Sequence, residues 1–244
     1  MIKYKFPYKK SVALLLDPDK SEEKALKVIL KIASDYRADY IFAGGSLTFN
    51  SIDKLIDSIR SACNIPVVLF PGNLLQLSRK ADAVLLLSLI SGRNPDLLIG
   101  NHVLAAPHLR DIRDKIISVG YILIGSGQKT SVEYISNTAP IPADKPEIAV
   151  ATALAGEMLG LQMIYLEGGS GSANAIPTEV IRSVRDNVSI PVAVGGGLRL
   201  PGEIFSAFDA GADLIVLGNG CEKNPGLLAD ACKIRDNLIK RIIT

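Results

Sequence analysis

The chain has 244 residues, of which 48% are hydrophobic and 21% charged, ordinary globular proportions that exclude a disordered or low-complexity protein. Twenty-seven Lys and Arg against 25 Asp and Glu leave a formal charge of +2, and no basic run is dense enough to offer a nucleic-acid footprint. Cys63, Cys221 and Cys232 are odd in number, far apart and outside any CxxC pair, which argues against a disulfide framework or zinc site and for a reducing, cytoplasmic setting.

Lys3, Lys5, Lys9 and Lys10 open the sequence with no long apolar stretch behind them, so neither a signal peptide nor a membrane span is expected. Short apolar, β-branched runs then follow at residues 12–16, 40–43, 67–70, 83–87, 116–124, 163–166, 192–194 and 214–217. Between them lie helical patterns at 22–36, 47–62, 95–108, 148–159, 178–187, 202–210 and 227–239, with Ser21, Asn94 and Pro177 as start signals and Asp19 as a cap. Eight strands in βα alternation predict a parallel sheet closed into one (β/α)8 barrel over residues 1–244. One unit is defective. Only the 12 residues from Pro71 to Asp82 separate the third and fourth runs, too few for a crossover helix with its turns, so an irregular segment is expected there. Residues 125–147, with Pro140, Pro142 and Pro146 near their end, read as a long loop, either functional, as a lid, or disordered.

A barrel of this kind works at the carboxyl ends of its strands, so the residues just after each apolar run carry the information. The first run ends in Asp17-Pro18-Asp19, the second in Gly44-Gly45-Ser46, the sixth in Glu167-Gly168-Gly169-Ser170-Gly171, the seventh in Gly195-Gly196-Gly197 and the eighth in Gly218-Asn219-Gly220. Glycine turns after the last two strands permit close backbone approach and suit a phosphate, although tight βα turns alone would also use them. Asp17 is a hard oxygen ligand suited to Mg2+ shared with substrate phosphates, with Ser46 as a second oxygen; a turn-initiating Asp and a helix-capping Ser fit the same spacing. Glu167, at a strand end followed by glycines, suits a general base. Tyr165 shares its face two residues earlier, either reaching a polar ligand at the mouth or packing as an ordinary aromatic. His102 and His108 receive no role, and the cysteines read as small core residues.

Taken together, Leu16-Asp17-Pro18-Asp19-Lys20, Ala43-Gly44-Gly45-Ser46, Tyr165-Leu166-Glu167-Gly168-Gly169-Ser170-Gly171, Val194-Gly195-Gly196-Gly197-Leu198-Arg199 and Val216-Leu217-Gly218-Asn219 resemble the geranylgeranylglyceryl phosphate synthase family, which includes the bacterial heptaprenylglyceryl phosphate synthases. The resemblance spans about Asp17 to Asn219 and extends to the missing third helix, a known mark of that family. It implies a Mg2+-dependent prenyltransferase that joins sn-glycerol 1-phosphate to a polyprenyl diphosphate, releases diphosphate and makes the ether bond of archaeal-type lipids. By motif position Tyr165, Leu166, Glu167, Gly168, Gly169, Ser170, Gly171, Gly196, Gly197, Gly218 and Asn219 would hold the glycerol phosphate. Asp17 and Ser46 would hold the metal, and Glu167 would take the proton of the attacking hydroxyl. The double glycine after Glu167 is closer to archaeal-type members, which favours geranylgeranyl diphosphate over a heptaprenyl donor. Leu74, Leu75 and Leu77 are expected along an apolar channel for the tail. A sugar-phosphate isomerase and a non-catalytic phosphometabolite-binding barrel use the same glycines, but the second leaves Asp17 and Glu167 without work. Apolar helix faces around residues 97–109 favour a homo-oligomer, and a lipidic substrate implies transient, peripheral membrane contact.

Overall fold

The computed structural model describes residues 10–125 and 127–243, so most of the lysine-bearing opening segment lies outside the described residues. Eight parallel strands close a barrel in sequence order: β1 (Ser11–Leu16), β2 (Tyr40–Ala43), β3 (Val67–Leu69), β4 (Ala83–Leu89), β5 (Ile116–Leu123), β6 (Met163–Glu167), β7 (Val192–Gly195) and β8 (Leu214–Leu217). Ser11 pairs with Leu214, which seals β1 to β8 and leaves no sheet edge.

Strand alternation sorts the apolar residues into two layers. Ala13, Phe42, Val68, Phe70, Leu85, Val119, Tyr121, Met163, Tyr165, Ala193 and Val216 fill the barrel. Their alternates, among them Val12, Leu14, Ile41, Leu69, Ile164, Leu166, Val194 and Ile215, pack outward under the helices. Parity therefore aims the next residue of each inward series at the mouth: Asp17 after Ala13 and Leu15, Glu167 after Met163 and Tyr165, Gly218 after Leu214 and Val216.

The surrounding helices follow the expected periods. In α1 (Glu23–Asp35), Leu26, Ile29, Leu30 and Ala33 are buried, and in α2 (Ile52–Ala62) Ile52, Leu55, Ile56 and Ile59 repeat that i, i+3, i+4, i+7 stripe. Helix α2 begins later than expected because the Ser51 hydroxyl caps it by accepting from Lys54 N. Asp19, expected as a helix cap, instead accepts from Phe49 N and Asn50 N at 2.8 and 2.7 Å and ties the turn after β1 to the turn after β2.

The third crossover helix is absent, as the spacing predicts. A 3-10 turn, Leu74–Gln76, replaces it. After β4 come a π turn at Asp96–Gly100, α3 (Asn101–Leu109) and a 3-10 segment at Arg110–Lys115. The long segment after β5 holds a short helix that periodicity did not show, α4 (Ser131–Ser136), started by Thr130 and stopped at Asn137 in the left-handed region. The remaining helices are α5 (Pro146–Met158), α6 (Thr178–Asn187), α7 (Pro201–Asp209), a five-residue α8 (Asn219–Lys223) and α9 (Gly226–Ile243). Among the described residues no helix is long and apolar enough to cross a membrane.

Candidate active site

The strand ends converge on a cavity of about 230 Å3 lined by Asp17, Ser46, Tyr165, Glu167, Gly169, Ser170, Gly171, Gly196, Gly197, Gly218 and Asn219. Leu166, expected with them, is fully buried in the outward layer and does not line the cavity. Gly168 lies behind the rim, its N–H donating to Gly195 O at 2.9 Å.

At the cavity floor Glu167 is 6% exposed. Its Oε1 accepts from Gly169 N at 2.6 Å and its Oε2 from the Tyr121 hydroxyl at 3.0 Å. Burial raises the carboxyl above the usual glutamate range, while the hydrogen bonds from Gly169, Tyr121 and Tyr165 pull the other way. Burial, with the adjacent Glu167 charge, holds both phenols well above the ordinary tyrosine range, so both stay protonated donors. An ionised carboxylate offers about four acceptor positions. The donors from Gly169 and Tyr121 therefore fix its orientation and leave it able to accept a further proton.

Tyr165 faces the barrel interior and lines the cavity, the orientation its polar reading requires, while its ring packs. Its ring lies 5.2 Å from that of Tyr121 and 5.3 Å from that of Phe70, a platform directly beneath the carboxylate.

Two glycines are required here by close approach. At Gly196, with φ +83°, a Cβ would fall 2.5 Å from Glu167 Oε1 and 2.7 Å from Gly169 N. At Gly169, with φ +95°, it would fall 2.3 Å from Thr130 Cγ2, so this glycine lets the segment before α4 pack onto the turn after β6. Arg199 holds the same turn from β7 by donating to the carbonyls of Gly171, Ser172 and Ala173.

Across the cavity Asp17 is partly buried, and burial raises its carboxyl; the Asp19 N–H at 3.0 Å from Oδ1 and the Lys20 charge oppose that rise. A Cβ on Gly45 would lie 3.0 Å from Asp17 Oδ2, so the Gly45-Ser46 turn rests against this carboxylate. Gln76, only 3% exposed, builds that turn: its Nε2 donates to Gly45 O at 2.7 Å and its Oε1 accepts from Gly72 N at 3.1 Å. Among the described residues no three His, Cys, Asp or Glu gather as a closed metal cage. Asp17 and Ser46 at an open corner, with the Glu222 carboxylate beyond Lys20, instead fit Mg2+, which usually keeps waters and substrate phosphate oxygens in its remaining positions.

A second, mostly apolar cavity meets the first at Gly45, Ser46, Phe70, Tyr121 and Val132. It runs where the third helix is missing, between Leu74 and Leu77 on one side and Leu85, Leu87, Leu97 and Ala105 on the other. Leu75, expected on its wall, is 96% exposed and points away. His102 lines this channel and exchanges a 2.9 Å hydrogen bond with Ser88 Oγ.

The family model for the PcrB family matches residues 6–236 of this sequence. The chain belongs to the PcrB family. It is 49% identical over 226 residues to the geranylgeranylglyceryl phosphate synthase of Spirosoma linguale, covering 92% of this chain and 91% of that protein. To the geranylgeranylglyceryl phosphate synthase of Korarchaeum cryptofilum it is 39% identical, covering 93% of each. It is also similar to a crystal structure of (S)-3-O-geranylgeranylglyceryl phosphate synthase from Thermoplasma acidophilum in complex with its substrate sn-glycerol 1-phosphate, at TM-score 0.88, 30% identity and 94% coverage of both chains. Family membership accounts for the strand-end motifs taken as a set.

Sequence reasoning passed over four residues that shape this site. Tyr121 stood in an apolar strand, where its inward parity with Val119 was the available signal. Lys20 and Arg199 were visible inside the motifs but without a task. Gln76, a lone amide among leucines, gave no signal for its role, because the Gly45 carbonyl it holds is 31 residues away in the turn after β2.

Proposed function

We propose that this protein is a Mg2+-dependent prenyltransferase that joins sn-glycerol 1-phosphate to geranylgeranyl diphosphate and releases diphosphate. The observation that carries the reading is a buried carboxylate, held by Gly169 N and the Tyr121 hydroxyl at the floor of a glycine-lined cavity and facing Asp17 across the mouth where an apolar channel enters. That combination suits a phosphorylated alcohol, a diphosphate and a hydrocarbon tail at once, and the names of the relatives supply the particular substrates.

In this reading the turns at Gly169–Gly171, Gly196-Gly197 and Gly218-Asn219 receive the glycerol phosphate, which brings its free primary hydroxyl to Glu167. A new bond forms between that oxygen and the first prenyl carbon while the carbon–oxygen bond to diphosphate breaks. Glu167 takes the hydroxyl proton, and Tyr121, Tyr165 and Gly169 N hold the carboxylate still as it does so. Asp17 and Ser46 would hold Mg2+, which would supply Lewis-acid stabilisation of the charge left on the diphosphate. The Leu74–Leu77 side of the channel shelters the tail from water. Ile99, Val103 and Leu104, about 60% exposed on and beside α3, are the surface on which a homo-oligomer fits.

The deciding experiment incubates the protein with glycerol 1-phosphate, labelled geranylgeranyl diphosphate and Mg2+, then extracts organic-soluble product. Chelation and Asp17→Asn should each abolish transfer, by at least about 10^2-fold, yet leave calorimetric binding of glycerol 1-phosphate within a few-fold of wild type. Turnover that survives both treatments refutes the metal assignment. No product from wild-type protein with Mg2+ refutes the reaction itself.

A further inference from the structure

Among the described residues lining the strand-end cavity, only Lys20 and Arg199 are cationic. They follow β1 and β7, with β8 between them. Arg199 is engaged by three backbone carbonyls beside the glycine turns of β6 and β7. Lys20 is beside Asp17, and its side chain remains 43% exposed. Its Nζ lies 3.8 Å from Asp17 Oδ2, 3.8 Å from Glu222 Oε1 and 3.3 Å from Asn219 Oδ1. Asn219 in turn reaches Ser170, so a polar chain spans the mouth from β1 past β8 to β6.

The charges explain what this arrangement can do. This corner holds two carboxylates, Asp17 and Glu222, with one ammonium between them. A divalent cation arriving at Asp17 repels that ammonium at short range, and Glu222 gives it an alternative anion. Any diphosphate that then bridges to the cation places several negative oxygens within reach of a flexible lysine that has three donors.

We propose that Lys20 is a binding residue for the diphosphate group of the prenyl donor, held between Asp17 and Glu222 and shifted toward Glu222 by the charge of a metal at Asp17. The assignment rests on the reading of Asp17 as the metal corner. Before substrates bind, Lys20 competes with the metal; with the prenyl donor bound, it works with the metal on the same leaving group. Those two roles have opposite signs, which a merely structural lysine would not produce.

The test uses the full chain with Lys20→Met, and Lys20→Arg as the charge-retaining variant. Mn2+ binding without substrates is read by electron paramagnetic resonance, and binding of inorganic diphosphate in saturating Mg2+ by calorimetry. Lys20→Met should tighten Mn2+ at least threefold and weaken inorganic diphosphate at least tenfold, with glycerol 1-phosphate unchanged within twofold; Lys20→Arg should restore most of the diphosphate affinity. Unchanged diphosphate binding in Lys20→Met overturns the proposal. So does a matching loss of glycerol 1-phosphate binding, which would assign the lysine to the other phosphate through Asn219. If wild-type protein binds no Mn2+ that Asp17→Asn removes, the metal corner itself fails and the proposal with it, an outcome distinct from normal wild-type binding with an inert Lys20→Met.

Discussion

Replacing Tyr121 by Phe isolates one hydrogen bond on the proposed base. The ring stays, keeping its packing 6.0 Å from Phe70 and 5.2 Å from Tyr165, while the 3.0 Å donor to Glu167 Oε2 is lost. Burial already raises the Glu167 carboxyl, and Tyr121 is one of the donors opposing that rise, so its removal moves the carboxyl further upward. A hydrogen bond to a charged group contributes about 1.5–3 kcal/mol, felt mainly by the ionised form. At about 1.36 kcal/mol per factor of ten, the protonation equilibrium shifts on the order of tenfold toward the acid. The assay is kcat/KM for glycerol 1-phosphate against pH at saturating Mg2+. The acid limb should move to higher pH, while the rate well above it stays within about threefold of wild type, because the base is intact once ionised. A limb that stays in place, or moves to lower pH, refutes the coupling between Tyr121 and a titrating Glu167. A uniform fall at all pH values would likewise refute it, since Phe keeps the ring and removes only the hydroxyl.

Glu167→Gln should lower turnover by at least about 10^2-fold, the low end of a general-base contribution. Its effect on stability has the opposite sign. With the folded carboxyl raised above its unfolded value, the stability it contributes is complete below the unfolded value and is lost as pH rises through the folded one. Thermal melts of Glu167→Gln and wild type should therefore diverge in favour of the variant as pH rises through that window, and parallel curves would contradict it. In the channel, Ala105 is 1% exposed on α3, so Ala105→Phe should raise KM for geranylgeranyl diphosphate at least fivefold and leave glycerol 1-phosphate binding unchanged, whereas Leu75→Ser, at a 96% exposed position, should change neither. Steady-state kinetics with each substrate varied separately checks both variants.

The cysteines behave as the sequence suggests for two of the three. Cys221 and Cys232 are buried, and burial pushes each thiol up to about 12, so they are unreactive packing groups; Cys63 is only partly buried.

The sequence alone determined the barrel, because each strand is a short apolar run and each helix a 3.6-period stripe, patterns imposed by burial on a local repeat. It also placed Asp17, Ser46, Glu167 and the late glycines at strand ends, since in a parallel barrel position along the strand is position along the axis. The absent third helix was legible by length. Contacts between turns were not. Asp19 could be read as a cap and proved to be a tie to Phe49 and Asn50; Gln76 and Tyr121 acquire their tasks from partners 31 and 46 residues distant. Tyr165 could be packing or polar until closure of the barrel put it beneath Glu167. Local pattern reports which face of an element is apolar, but a side chain's partner is set by which strands close next to which, and that is decided only when the whole chain is folded.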